Sequence, residues 1–398
     1  MNKLECMIAT YLHEEPSVVP QGIGFVDNVT TRKLGPGLLE ISDWRKRATA
    51  EAKLLDNFSI GCGGGGYRVK EIRSSQDLDS GGVSIGENVV ESSAHYDLIK
   101  TELGMIKRRY KLKALHHASW RPAVARDGAD IRTLHDWIEI VRHPVEKKED
   151  LDQLEFPDPD DPSRYEGVEE NVRFFTDLGY MTTGGINGFF SGVWYEIMPF
   201  RLWLASLLRD KAFAKRAAAM NGEFNLIAAE NLLERGVHCI TWGDDMGYKK
   251  GMFFSREIYK DVIWPWHKKA ADLAHRYGAF AEMHVDGNIN AIVDLIVKAG
   301  IDAINNVGPG DNMDLAELKE KYGDRITLHG GLSRFTSRMS NEQLKAHIID
   351  RIAIGSPGGG FILGQEGALH SDMSTEGFRF MIECSRRYRK NRVSGTLA

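Results

Sequence analysis

From about residue 166 onward the chain alternates two patterns. Short apolar runs that end in polar residues are separated by longer stretches whose apolar positions recur every three to four residues. The first pattern predicts a strand buried on both faces, and the second a helix with one buried stripe. The helical pattern covers Tyr165 to Leu178, residues 212–235, Ser255 to Tyr277, Asn288 to Lys298, 315–322, 340–354 and Thr375 to Arg389. Ser255 is placed to cap its helix, and Gly236, Gly278 and Gly300 stand where helices end. The strand pattern covers Gly179 to Gly185, VHCITWGDD, AFAEMHVDG, DAINNVGP, ITLHGGL and GGFILGQEG. The aromatic-rich FFSGVWYEIMPFRLWLASLLRD reads as loop and helix.

Strands alternating with helices predict parallel βα units. A closed (β/α)8 barrel and a doubly wound sheet both satisfy the alternation. The polar residues favour the barrel, because nearly every strand runs out into chemistry: Gly243-Asp244-Asp245, His284-Val285-Asp286-Gly287, Asn305-Asn306, His329-Gly330-Gly331 and Gln365-Glu366-Gly367. Barrel sites are built at the C-terminal strand ends, whereas a doubly wound sheet gathers ligands at one switch point.

The first 165 residues are less regular. GCGGGG at Gly61 to Gly66 offers a flexible turn or a close backbone approach, without the dinucleotide spacing, and Gly81-Gly82 is a second break. Acidic, proline-rich residues 145–165 read as a long exposed connection. The chain therefore divides into an N-terminal extension with the start of the barrel over 1–165, and the barrel core over 166–398.

Composition narrows the function classes. At 398 residues, 42% hydrophobic, 27% charged and a net charge of −5, the chain has an ordinary globular balance. No basic stripe suggests a nucleic-acid partner. Four scattered cysteines make neither a disulfide framework nor a zinc ribbon. No apolar run reaches the roughly 18 residues of a membrane helix, and the acidic start lacks a signal-peptide core. The expectation is a soluble cytoplasmic protein.

HVDG carries the sharpest chemical signal. Residues two apart in a strand share a face, so Glu282, His284 and Asp286 line one side, with Asp286 at the strand end. A histidine and a carboxylate converging at a barrel mouth hold a divalent metal, form an acid/base pair, or simply orient the loop. Of Asp244 and Asp245, alternation sends one to the mouth and one to the wall, without saying which. His329 is followed by two glycines that leave room for a ligand near the backbone, or it is a buried, hydrogen-bonded histidine. Gln365 and Glu366 end the last strand, and His370 follows on the loop. Aromatic residues crowd the middle of the chain, Trp242 among them; most predict core, and a few could wall a pocket for a planar substrate. Cys239 reads as buried core and His116-His117 as structural. No G-x-S-x-G, Walker A or H-E-x-x-H pattern appears.

Over residues 165–392 the chain resembles the uroporphyrinogen decarboxylase superfamily. The carriers are WGDDMGYKKGMFFSREIYKDVIWPWHKKAADLAHRYG, HVDGNINAIVDLIVKAGIDAINNV, YGDRITLHGGL and GGGFILGQEGALHSDMSTEGF. The resemblance implies a single (β/α)8 barrel with its site at the C-terminal strand ends. Two chemistries occur in the superfamily: cofactor-free decarboxylation with an N-terminal arginine motif, and zinc-dependent, corrinoid-linked methyl transfer. WRKRATAEAK at Trp44 to Lys53 only loosely echoes the arginine motif. HVDG resembles the methyltransferases' H-x-C-G, with Asp286 in the cysteine's place and Glu366 or Gly367 near the second cysteine's.

The resemblance thus implies methyl transfer from a small, methoxylated aromatic substrate to a corrinoid on a partner protein. His284, Asp286 and Glu366 would hold a divalent metal, zinc being the candidate. Asp244, Asp245 and His329 would position substrate or move protons, and Trp242, Gln365 and His370 would contact the substrate. The extended N-terminal region would supply a lid or a homodimer surface. The alternatives are a decarboxylase of a carboxylated aromatic or tetrapyrrole, and a non-catalytic tetrapyrrole or corrinoid binder.

Overall fold

The computed structural model describes residues 1–26, 28–66, 88–93, 95–110 and 137–391. Gly81-Gly82 and His116-His117 lie outside the described residues. Eight parallel strands form one sheet: β1 (Gln21–Gly22), β2 (Ser59–Gly64), β3 (Met181–Gly185), β4 (Cys239–Gly243), β5 (Phe280–His284), β6 (Ala303–Val307), β7 (Thr327–Leu332) and β8 (Phe361–Gln365). From β2 to β8 each strand pairs with the next in the chain, and β8 pairs with β1. The two ends of the sheet meet where the Phe58 N–H donates to the Gln21 carbonyl at 3.0 Å. The fold is the (β/α)8 barrel the alternation predicts.

The main helices are α1 (Lys3–Tyr11), α2 (Trp44–Leu54), α3 (Val168–Asp177), α4 (Lys211–Glu234), α5 (Trp264–Arg276), α6 (Val293–Ala299), α7 (Leu315–Tyr322), α8 (Asn341–Gly355) and α9 (Thr375–Asn391), and Asn28–Leu34 and Phe200–Arg209 are helical as well. Among the described residues none is long and apolar enough to cross a membrane. Their ends follow local chemistry. Ser340 and Gln343 make a capping box at α8, and Gly300 closes α6 in the left-handed conformation at φ 85°. The expected helix from Ser255 to Tyr277 is interrupted. Ser255 caps a short turn over Arg256–Ile258, and a wider turn over Tyr259–Ile263 precedes α5. Pro265, in the first turn of α5, has no N–H to extend the preceding turn into it.

The first 165 residues supply β1, β2, α1 and α2. GCGGGG lies largely in β2 and its end. The close approach it allowed is real, since a Cβ on Gly65 would lie 2.7 Å from Ala228 of α4. After β2 the chain leaves the barrel for a four-stranded antiparallel sheet of Asn88–Ser92, Tyr96–Lys100, Ile106–Tyr110 and Trp137–Arg142, which the sequence pattern did not announce. The connection over 145–165 is pinned, not fully exposed. Val145, Leu151 and Tyr165 are buried, and Arg164 pairs with Glu102 at 2.7 Å.

Helix α1 plugs the N-terminal end of the barrel. Cys6, Met7 and Tyr11 pack with Met181, Cys239, Ala303 and Ile362 from the barrel strands. Asp56, between α2 and β2, then ties both chain ends to this floor. It accepts from Arg389 at 2.5 Å and Arg386 at 3.3 Å, and lies 3.4 Å from Lys3. Arg389 is fully buried, also donates to the Val19 carbonyl at 2.6 Å, and has its pKa brought down to about 10 by burial.

Removing the Asp56 charge strands the Arg389 guanidinium in the core, so Asp56→Asn is expected to lose about 3–5 kcal/mol of stability at pH 7. Burial pushes the Asp56 carboxyl up, but Arg389, Lys3 and Arg386 outweigh it and hold it below the ordinary aspartate value. Because the folded value is the lower one, this stabilisation is complete above the ordinary value and fades as pH falls through the folded one. Denaturation curves of wild type and Asp56→Asn should therefore converge below about pH 4. A gap that persists in acid would show that the pair does not carry the effect.

Candidate functional site

Strand β5 brings Glu282 and His284 to the barrel interior, and Asp286 follows at the mouth. His284 Nε2 lies 4.0 Å from Asp286 Oδ2. Its other nitrogen, Nδ1, is 2.5 Å from Asn305 Oδ1 at the end of β6. That carbonyl oxygen can only accept, so Nδ1 is the nitrogen that donates, and Nε2 is the one left facing Asp286. Asp245 Oδ1 accepts the Asp286 backbone N–H at 2.9 Å. One ligand atom each from Asp245, His284 and Asp286 fits within 4.8 Å of the others. Among the described residues neither aspartate has an arginine or lysine ion pair. Burial raises the Asp245 carboxyl above the ordinary aspartate value, with the charge of Asp286 adding to it. Two carboxylates and a bare imidazole nitrogen suit a divalent cation, and Asn305 and Asn306 brace two of the three side chains as metal-site neighbours do.

Asp245, not Glu366, is the carboxylate that stands with His284 and Asp286. Glu366 is fully buried and its oxygens are engaged elsewhere. Oε1 accepts the Asp311 N–H at 2.9 Å and faces Arg334 Nη2 at 3.1 Å, while Oε2 accepts the Arg334 N–H at 3.3 Å. A Cβ on Gly308 would lie 2.6 Å from its carboxyl carbon. Glu366 therefore clamps the loop after β6 to the loop after β7, and this corrects its assignment as a third ligand.

Asp244 is also a correction. It is fully buried and faces the wall, where it accepts N–H bonds from Phe189, Phe190 and Ser191 at 3.0, 2.7 and 2.8 Å. His267 Nε2 adds a fourth at 2.7 Å, and the Tyr259 hydroxyl donates to His267 Nδ1 at 2.9 Å. Burial keeps that hydroxyl protonated by pushing its pKa well up. The carboxylate holds the loop after β3 in place, and Gly188 has no room for a side chain over it. Ser191 of that loop then accepts the Asp245 N–H at 2.9 Å. Asp244 positions Asp245 without reaching the mouth.

Glu366 still borders the cavity beside His284 and Asp286, whereas three other expected residues lie off it. Trp242 points to the helix layer, edge-on to Phe189 with centroids 5.6 Å apart. Gln365 is buried and accepts from the Thr336 hydroxyl at 3.3 Å. His329 lies one layer below the mouth, 2.7 Å from Glu282 and 3.1 Å from the Gly22 carbonyl. Gly330 and Gly331 after it do not make a ligand space. A Cβ on Gly330 would lie 2.3 Å from the Val307 carbonyl, so this glycine makes room for β6.

A cavity of about 820 Å³ opens beside His284 and Asp286. Asn305, Arg334 and the exposed His370 line one side, and Trp44 and Arg47 of α2 line the other. The stretch that only loosely echoes an arginine motif therefore reaches the site. Arg334 and the Asn305-Asn306 pair were not singled out from sequence as binding groups. The polar doublet inside the apolar run DAINNVGP is the signal that could have found the asparagines.

The family model described as uroporphyrinogen decarboxylase matches residues 128–388, more than half of the chain. No curated protein matches the chain significantly. Among solved structures, a methyltransferase from Methanosarcina mazei superposes with a TM-score of 0.64 at 14% identity, covering 98% of this chain and 99% of that one. A B12-independent methionine synthase from Shewanella sp. W3-18-1 gives a TM-score of 0.40 at 11% identity, covering 57% and 68%.

The adjacent aspartates should part company under mutation. Asp244→Asn places an amide N–H₂ against backbone donors in the core and is expected to cost about 3–5 kcal/mol. Asp245→Asn should change stability by less than about 1 kcal/mol while weakening divalent-metal uptake. Urea denaturation of the two variants checks this, and equal losses would contradict the division of roles.

Proposed function

We propose that this chain, which belongs to the uroporphyrinogen decarboxylase family, is a metal-dependent methyltransferase that moves a methyl group from a small methoxylated aromatic molecule to a corrinoid on a separate protein. The observation that carries the reading is the Asp245, His284 and Asp286 cluster beside the cavity. The fold likeness to the Methanosarcina mazei methyltransferase, which spans nearly both chains, supports it. A divalent cation bound there, zinc being the candidate, would act as a Lewis acid on the ether oxygen and make it a better leaving group.

The chain's own residues do the rest. Asp245, His284 and Asp286 would hold the cation, and Asn305 Oδ1 orients the His284 ring through Nδ1. Trp44 of α2 offers an aromatic face across the cavity for a planar ring. The methyl group leaves without the bond's electron pair, which stays on the substrate oxygen. His370, exposed on the cavity lining, can carry a proton from water to that oxygen.

A second reading, cofactor-free decarboxylation, is favoured by Arg47. It is buried and lines the cavity, where it would add positive charge to the wall that a carboxylated substrate faces. In a third, the chain is a binder without catalysis, and losing His284 would leave affinity unchanged.

Gently purified protein should contain about one divalent ion per chain, as a single three-ligand site requires, and His284→Ala should contain far less by elemental analysis. Methyl transfer to cob(I)alamin from methoxylated benzoates or phenols should accompany the metal and vanish with it. Equal metal in both proteins would defeat the proposal. Release of carbon dioxide from uroporphyrinogen at about 1 per second or faster would promote the decarboxylase instead.

A further inference from the structure

In a regular strand Asn305 and Asn306 would point to opposite faces. They do not behave as a regular pair. The β6–β7 register shifts between Asn305, opposite His329, and Val307, opposite Gly330, so Asn306 is an extra residue in β6. Asn306 has φ 92°, a left-handed conformation uncommon outside glycine and best tolerated by asparagine and aspartate. Such a bulge re-aims a side chain. Both asparagines here reach the two candidate ligands of the HVDG segment: Asn305 bonds His284, and Asn306 Nδ2 donates to Asp286 Oδ1.

Asn306 also faces the other way. Its Oδ1 accepts the Gly367 N–H at 2.5 Å, at the start of the loop that carries His370. The side chain is almost fully buried between the two segments. With Oδ1 of Asp286 occupied by the amide, Oδ2 is the oxygen left facing His284 Nε2.

We infer that Asn306 is a positioning residue. Its left-handed bulge and its two-sided amide fix which oxygen of Asp286 serves the metal, and they lock that ligand to the loop after β8. This rests on the metal-site reading proposed above. It goes further by assigning the strained residue a role toward the ligand, since a strained backbone held at a site is a candidate for function.

The test uses cobalt(II) as the probe, with affinity read by competition against a chromophoric chelator and geometry read from the visible absorption bands. Asn306→Gly keeps the left-handed backbone free of strain and removes only the amide. It should retain the thermal transition of metal-free wild type, bind cobalt 10- to 100-fold more weakly, roughly the effect of losing a group that orients a ligand, and show a changed spectrum. Asn306→Asp, nearly the same shape, keeps an acceptor for Gly367 but presents a carboxylate to Asp286 in place of a donor. Its spectrum decides the matter should the glycine variant fail to fold. A wild-type spectrum in Asn306→Asp, or wild-type affinity and spectrum in folded Asn306→Gly, overturns the inference while leaving the metal site standing. Absence of cobalt binding by wild type overturns both.

Discussion

The barrel is organised around one largely buried charge pair in its interior, Glu282 with His329. Both ring nitrogens of His329 face acceptors, the Glu282 carboxylate and the Gly22 carbonyl, so the ring satisfies them only by carrying two protons. Burial works against that charge, and Glu282 and the carbonyl outweigh it, raising the pKa of the histidine. Glu282 in turn accepts from the Tyr11 hydroxyl at 2.5 Å. One network thus joins β5, β7, β1 and the plugging helix α1. Strand β1 is two residues long and makes little ladder of its own, so its place in the ring depends on such contacts. Gly22 and Gly364 sit side by side in register and lack the side chains that would strike the imidazole. An unpaired charge here would be far costlier than the pair is stabilising, which is why the surrounding backbone is shaped to keep it whole. His284 stands two residues above Glu282 on the same strand face, so this layer is the floor on which the candidate site rests.

Above that floor, the strand ends are wired to their neighbours' loops. Asp244 holds the loop after β3 through three backbone N–H groups. Glu366 holds the loops after β6 and β7. Each is a buried carboxylate whose charge is spread over several donors, as buried charges require. The mouth is consequently built from loops tied down at their roots, and the side chains of the candidate site inherit that rigidity. Asp245 shows the chain of dependence most directly. Asp244 fixes Ser191, Ser191 takes the Asp245 N–H, and Asp245 takes the Asp286 N–H.

Much of this was legible before any coordinates. The 2-fold and 3.6-fold periods marked β3 to β8 and their helices, and the polar strand ends pointed to a barrel with its chemistry at one rim. The structure places His284 and Asp286 at that rim together. Three things resisted reading, each for a physical reason. Period 2 fixes relative faces and not which face is inward, so Asp244 could not be told from Asp245, and Glu366 was given the outlook of a ligand. The bulge at Asn306 breaks the period itself, so Asn305 and Asn306 share a task that alternation denies them. Strand β1 and the glycine-rich β2 carry few of the β-branched residues that announce strands, so the first part of the barrel was hidden.

The donor set also bears on what the site would act upon, on the reading proposed above. Two thiolates would give a divalent ion much of their electron density and suit it to a soft sulfur substrate. Two aspartates and a histidine would compensate the ion's charge while donating less, so the ion would keep more of its acidity toward a hard oxygen. The replacement of a cysteine by Asp286 therefore shifts the expected substrate from thiol to ether or carboxylate. Asp245 becomes available as a third donor only because Asp244, its neighbour in sequence, is turned the other way. Specificity would then follow from the opposite wall, where α2 brings Trp44 and Arg47 to the same cavity. On that reading Trp44 would favour a planar molecule, its ether oxygen directed at Asp286 and His284.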